Sequence, residues 1–391
     1  MKISGKPLLW IDRLFWPSHR LADFILDHFG KTDPKPEERI LIIKFLGLGS
    51  IIRLSSLLKR NGVDKGKITL ITLEPNRELC KLIQFDNVHF IQTKNILLFL
   101  KDCFKILLSV KSENFSLIID YERCSHSVGL FRIVLGFLAR CKTISFESER
   151  TVQTTRQIIF PIEEFNQEEL FLKGITFMPR TNSLPSVEEM IQIEPLKILV
   201  NINASNYLLA RRYPVDCFAE IIRSLNEWNS SYTFYLTGSA AEIKYVTELE
   251  QKLQGLPVIN VAGKWSLDTL RHELASCALF ITCDSGPLQL AITEGVSTIA
   301  LWGPTQPEHF GYGTIRHLHN ISLNLPCSPC FRHPASNPAV ACNGRIDCLT
   351  KLPSSLIIAK AKSILTLTET SRPVNASEIF ERNSITEFSI T

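Results

Sequence analysis

Phe280–Thr305 is the part of this 391-residue chain that most restricts its fold. It reads F-I-T-C-D-S-G-P-L-Q-L-A-I-T-E-G-V-S-T-I-A-L-W-G-P-T. An apolar run, Ala278 to Thr282, ends in Asp284-Ser285-Gly286, and a helix is predicted to open at Pro287. Gly295 stops that helix, a second apolar run spans Thr298 to Trp302, and Gly303-Pro304-Thr305 turns the chain. The pattern is a strand–helix–strand unit with small polar residues at the first strand-to-helix turn. Proline suits the first helical position, whose N–H is unpaired in any case. The unpaired N–H groups and positive dipole end there suit a phosphate or pyrophosphate. Gly286 lets a ligand approach the backbone, and Ser285 can cap the helix or donate its hydroxyl. The alternative is a turn kept only for packing.

The same rhythm runs along most of the chain. Strands are expected at Ile40–Phe45, Ile68–Leu73, Val88–Ile91, Ser116–Asp120 and Thr143–Phe146, with helices such as Ser50–Arg60 and Arg77–Phe85 between them. A second series is expected at Lys197–Asn201, Tyr232–Thr237, Val258–Val261, Ala278–Thr282 and Thr298–Leu301, closed by a helix over Leu356–Leu365. Alternating strands and helices argue for parallel sheets covered on both faces. The polar stretch from Pro179 to Pro195 reads as a linker. The expected organisation is a leader over 1–38, a first domain over 39–180, a second over 195–366 and a polar tail over 367–391.

A composition 45% hydrophobic and 21% charged is that of a chain with a full core. A net charge of +4 suits an anionic substrate or membrane face, and is far from a nucleic-acid-binding signature. No nucleic-acid partner is expected. No apolar run approaches the roughly 18 residues of a membrane span. Asp12, Arg13 and Pro17 interrupt any signal-peptide core, so a cytoplasmic location is expected. Cys80, Cys103, Cys141, Cys277 and Cys283 stand at apolar positions, like reduced core residues. In the leader, Leu8, Trp10, Leu14, Phe15 and Trp16 beside Lys6, Arg13 and Arg20 could lie in a membrane interface as a peripheral contact, or pack on the domain.

Several short words together resemble the glycosyltransferases of family 9, the lipopolysaccharide heptosyltransferases and their relatives. Asp284-Ser285-Gly286-Pro287 with Leu290-Ala291 and Gly303-Pro304-Thr305 resembles the family's nucleotide-sugar signature. Ile40-Leu-Ile-Ile-Lys-Phe-Leu-Gly-Leu-Gly49 resembles its first strand and Gly-rich turn. Ala210-Arg211-Arg212-Tyr213-Pro214, Leu236-Thr237-Gly238 with Glu242, and Cys327-Ser-Pro-Cys330 resemble three further words, in the family's order. The resemblance implies the GT-B architecture, two Rossmann-like domains with parallel sheets facing across a cleft. It implies an inverting, metal-independent transferase without a cofactor. The donor would be a nucleotide sugar (ADP-heptose by family default), and the acceptor a lipid-linked or oligosaccharide chain such as a lipopolysaccharide core. A non-catalytic nucleotide-sugar-binding or scaffold protein and a GT-B-like sugar-nucleotide epimerase are the rival readings.

On the donor side, the resemblance gives Arg211, with Arg212 beside it, the role of neutralising the donor diphosphate. A guanidinium fork fits phosphate oxygens in pairs, and a solvated surface pair is the alternative. Thr237-Gly238 and Gly263-Lys264 are expected in adjacent loops around the nucleotide. Glu242 would hold ribose hydroxyls or simply complement a helix start. Asp284 would orient the Ser285-Gly286 loop or contact the sugar. Gln289 stands where the family usually has histidine, and it can donate a hydrogen bond but carry no charge.

On the acceptor side, Gly47 and Gly49 form the expected turn. The family's word there is Gly-Asp, its Asp the general base, but this chain has Gly49-Ser50, and a serine hydroxyl is no base at neutral pH. Three readings remain: another carboxylate (Asp120, Glu122 or Glu74) serves, the acceptor needs little base help, or donor binds without efficient turnover. Cys327, Cys330, Cys342 and Cys348 fit either a structural zinc or reduced thiols; no metal is assigned.

Overall fold

The computed structural model describes residues 39–45, 47–113, 115–121, 131, 134–135, 141–146, 157–160, 175, 193–204, 209–310, 315–330 and 344–370. Glu122, Cys342, the leader 1–38 and most of the 179–195 stretch lie outside them. The chain forms two compact units. The first runs β1 (Arg39–Ile43), α1 (Leu48–Arg60), β2 (Ile68–Leu73), α2 (Arg77–Leu82), β3 (Val88–Ile91), α3 (Ile96–Ser112), β4 (Phe115–Asp120), β5 (Lys142–Phe146) and β6 (Gln157–Phe160). Its six strands pair in parallel, in the order β3-β2-β1-β4-β5-β6.

The second unit begins with β7 (Glu194–Asn201), α4 (Val215–Trp228), β8 (Thr233–Leu236), α5 (Ile243–Lys252), β9 (Val258–Asn260) and α6 (Leu267–Ser276). It continues through β10 (Cys277–Cys283), α7 (Gly286–Thr293), β11 (Thr298–Leu301), β12 (Leu318–Ile321), α8 (Asp347–Thr350) and α9 (Ser354–Thr370). Its parallel order is β12-β11-β10-β7-β8-β9. Each sheet grows outward from its first strand and then returns to the other side of it. The strand order therefore reverses between β1 and β4, and again between β7 and β10. Such reversals leave a crevice at the carboxyl ends of the two central strands, where α/β proteins hold ligands.

Covered on both faces, the central strands are mainly apolar: every residue of β2 and of β10 is buried, and only threonines break their apolar runs. On α4, Phe218, Ile221, Ile222 and Leu225 recur at helical spacing and face the second core, where Ile357, Ala361, Ile364 and Leu365 of α9 join them. The closing helix starts at Ser354 and runs to Thr370, longer than the apolar run that announced it. Helix α7 begins at Gly286, one residue before Pro287, and Gly295 follows it with φ 71°. Strands β6 and β12 were not expected. Among the described residues, no helix is long and apolar enough to cross a membrane.

The edge strand β12 brings a titration with it. Burial holds His317 and His319 below the ordinary histidine range, even though the Ile292 carbonyl lies 3.2 Å from His317 Nε2. The unfolded chain then binds protons that the native state refuses, so stability is lost as pH falls below about 6.5. In urea titrations the midpoint should drop between neutral and mildly acidic pH, and the drop should shrink in a His317→Gln/His319→Gln variant. An identical drop in both proteins would remove these histidines from the transition.

Candidate active site

At the β7/β10 reversal, eight buried polar side chains gather: Asn201, Asn203, Thr237, Thr282, Asp284, Ser285, Gln289 and Thr305. Burying so many polar groups is costly unless they satisfy one another. Asn201 Nδ2 donates to Thr282 Oγ1 at 2.9 Å and to Ser285 Oγ at 3.0 Å. Asn203 Nδ2 donates to Asn201 Oδ1 at 3.2 Å and to the Thr237 carbonyl at 3.0 Å. Both partners of that nitrogen are acceptors, which fixes the amide's orientation. Asn203 Oδ1 then accepts no hydrogen bond from the described residues.

The turn residues play unequal parts. Ser285 occupies the N-cap of α7, yet its hydroxyl makes no capping bond and is drawn into the Asn201–Thr282 network instead. Asp284 Oδ2 accepts from Arg211 Nη1 at 3.0 Å and from Thr305 Oγ1 at 2.8 Å. The pair is withdrawn from water, with the Asp284 side chain 5% and the Arg211 side chain 16% exposed. Asp284 thus joins three loops: the one after β10, the one after β11 and the Arg211 word. Gln289 is buried in α7.

The Ala210–Pro214 word is anchored from behind. Leu209–Arg211 form a single 3₁₀ turn, and the buried Tyr213 hydroxyl donates to the Leu352 carbonyl at 2.7 Å. Arg212 lies over the Tyr245 ring of α5, 4.1 Å from its centroid. The two arginines therefore separate: Arg211 joins the strand-end cluster, and Arg212 packs on a helix.

Thr237 and Gly238 follow β8. A Cβ at Gly238 would lie 3.0 Å from both Asn203 Nδ2 and Val246 Cγ2, so glycine lets this loop close over the amide cluster without displacing either side chain. The Gly238 carbonyl accepts from Gly263 N at 2.8 Å, which joins the loops after β8 and β9 as expected. Glu242 Oε2 accepts from Ser239 N and Ser239 Oγ, both at 2.8 Å, closing a capping box.

In the first unit, the β1/β4 reversal holds the other residues. Gly47 caps α1 with φ 85°, a left-handed conformation that favours glycine. Gly49 and Ser50 fall in the first turn of α1, where Ser50 N donates to the Gly47 carbonyl at 3.0 Å. Asp120 ends β4 directly opposite Ile43 of β1, so it is buried at the same sheet end as this turn. Asn76 Nδ2 bridges the Phe45 carbonyl (3.1 Å) and Thr72 Oγ1 (2.7 Å), steadying the chain ahead of Gly47. Glu74 is poorly suited to be a base: a two-point bond from Arg77 holds its carboxyl below the usual range.

Cys348 packs in the second core, while Cys327 is exposed. Burial pushes the Cys80, Cys103, Cys277 and Cys283 thiols up to about 12, so they are protonated packing groups. Among the described residues, no three His, Cys, Asp or Glu side chains gather as metal ligands would.

Two Rossmann-like parallel sheets in succession, each with its own reversal, are the architecture of GT-B glycosyltransferases. The chain belongs to glycosyltransferase family 9 (heptosyltransferase), whose model matches residues 128–341. It is 25% identical over 252 residues to lipooligosaccharide heptosyltransferase 2 of Campylobacter jejuni, covering 60% of this chain and 76% of that protein. A shorter stretch of 103 residues is 32% identical to the Haemophilus influenzae enzyme of the same name, covering 26% and 29%. Its fold is similar to that of Escherichia coli ADP-heptose lps heptosyltransferase II, with TM-score 0.60 and 16% identity over 85% of this chain and 99% of that one. It is likewise similar to a family 9 glycosyl transferase from Veillonella parvula, with TM-score 0.62 and 15% identity over 86% and 100%.

Proposed function

We propose that this glycosyltransferase moves heptose from a nucleotide-activated donor, ADP-heptose, to a glycan of the lipopolysaccharide core type. The reading makes 195–366 the donor domain and 39–180 the acceptor domain of a cytoplasmic enzyme that inverts the anomeric centre without a metal ion. The observation that carries it is the buried cluster at the β7/β10 reversal, which sets Arg211 and Asp284 beside the opening turn of α7. The names of the relatives supply the sugar and the type of acceptor.

In this reading the α7 N–H groups and Arg211 bind the diphosphate and stabilise the charge that builds on it as it leaves. A guanidinium carries five donors, more than one carboxylate oxygen can take. Asp284 then acts on the donor mainly by aiming Arg211. Asn203 Oδ1, a buried acceptor, suits a ribose or sugar hydroxyl, and the second oxygen of Glu242 is placed on the adjoining loop. The acceptor hydroxyl attacks the anomeric carbon, the bond to the phosphate oxygen breaks, and the hydroxyl proton passes to Asp120 or Glu122.

Calorimetry with ADP in the presence of a chelator tests the donor half. Binding should persist, and Arg211→Ala should weaken it by about 1.5–3 kcal/mol, the range for hydrogen bonds to charged groups. Equal affinity in the two proteins would take Arg211 out of the site. ADP bound, but never released from ADP-heptose with a core glycan present, would favour a binding protein over an enzyme.

A further inference from the structure

Helix α3 carries apolar side chains on two faces. Phe99, Ile106 and Val110 are buried in the first core. On the other side Leu97, Leu100, Phe104 and Leu108 are 76%, 54%, 62% and 55% exposed. Their spacing of three, four and four residues places them in one row, roughly 16 Å long at 1.5 Å per residue. Among the described residues, no other element gathers so many exposed large apolar side chains. Lys94, Lys101 and Lys105 are exposed beside this row. The only acid between Lys94 and Ser112 is Asp102, and its carboxylate accepts from Gln92 N at 2.9 Å.

We infer that this face of α3 docks on an anionic lipid surface. A straight apolar row edged by lysines is the pattern of a helix lying in the plane of a membrane interface, with long lysine stems reaching out to the headgroups. The charge selects the occupant: three exposed lysines edge the row, and the two carboxylates nearest them are already engaged, Asp102 by Gln92 N and Glu74 by Arg77, so the balance matches anionic lipid. The placement also suits such a surface. Asn95 caps α3 at the carboxyl end of β3, the sheet end that carries Gly47–Ser50 and Asp120. A docked α3 would hold this end of the first unit close to the lipid. The inference does not depend on the reaction proposed above.

The test is co-sedimentation of the full chain with two kinds of vesicle: phosphatidylcholine mixed with phosphatidylglycerol, and phosphatidylcholine alone. Neither contains a glycan, so failure here leaves the transferase reading untouched. Binding should require the anionic lipid and weaken with salt. Phe104→Ser with Leu108→Ser should lower partitioning by about tenfold or more, since each removes a large buried side chain from the interface. Lys101→Glu with Lys105→Glu should do the same while leaving the thermal midpoint unchanged. Undiminished binding in both variants would overturn the proposal. So would a lipid-independent dimer that the Phe104→Ser/Leu108→Ser variant dissociates, because the row would then be an interface between two copies.

Discussion

Replacing Asp120 with asparagine should lower heptose transfer at least about 100-fold, the low end of what a general base contributes. The change keeps the shape of the side chain while removing its ability to take a proton. Asp120 earns first place among the candidates by position: it is buried at the carboxyl end of β4, opposite Ile43 and at the same sheet end as the Gly47–Ser50 turn. Glu74 ranks lower, because its bond to Arg77 holds its carboxyl below the usual range. Glu122→Gln is the parallel variant, and one of the two should show the large loss. Ser50→Ala should cost far less, and Ser50→Asp should raise activity if a carboxylate there can share the task. Product formation measured on all four variants decides the matter. Full activity in both carboxylate variants, with none in Ser50→Ala, would make the turn itself catalytic.

The second large effect is expected at Asp284. Asp284→Ala leaves the Arg211 guanidinium largely buried beside a carboxylate that is gone, and breaking such a pair costs about 3–5 kcal/mol. Thr305 loses its acceptor in the same step. Urea unfolding would read the loss, and ADP binding should weaken because Arg211 is no longer aimed. A double change, Arg211→Met with Asp284→Leu, should be less destabilising than Asp284→Ala alone, since it removes both charges together. Should Asp284→Ala unfold at the wild-type midpoint, the pair contributes nothing to the fold and its role is confined to ligand.

Much of the parallel architecture was legible because fully covered strands are runs of apolar and β-branched residues; Ile68–Leu73 and Thr298–Leu301 have the limits the sequence indicated. Edge strands are different. Leu318–Ile321 reads L-H-N-I and is only partly buried, so its strand state comes from pairing with β11 rather than from its own pattern. The donor-side words were visible as words, but their connection was not. Arg211 and Asp284 are 73 residues apart, and no local signal links them. Asn201 and Asn203 belong to none of these words, although their amides link Thr282, Ser285 and the Thr237 carbonyl. The exposed row on α3 was hidden for the opposite reason. A helix with apolar side chains on two faces does not say in its sequence which face is the core, and only the packed structure shows which side stays wet.

The hydrogen bond from Tyr213 to Leu352 spans 139 residues. It fastens the arginine word to the segment that leads into α9, and α9 itself completes the core behind α4 and β10. A nascent chain therefore carries Arg211 and Asp284 well before it can hold them in place. The core behind Arg211 and Asp284 is completed only after the residues up to Leu365 have left the ribosome. Translation that stops short of α9 would release a chain that carries Arg211 and Asp284 without the helix that packs behind them.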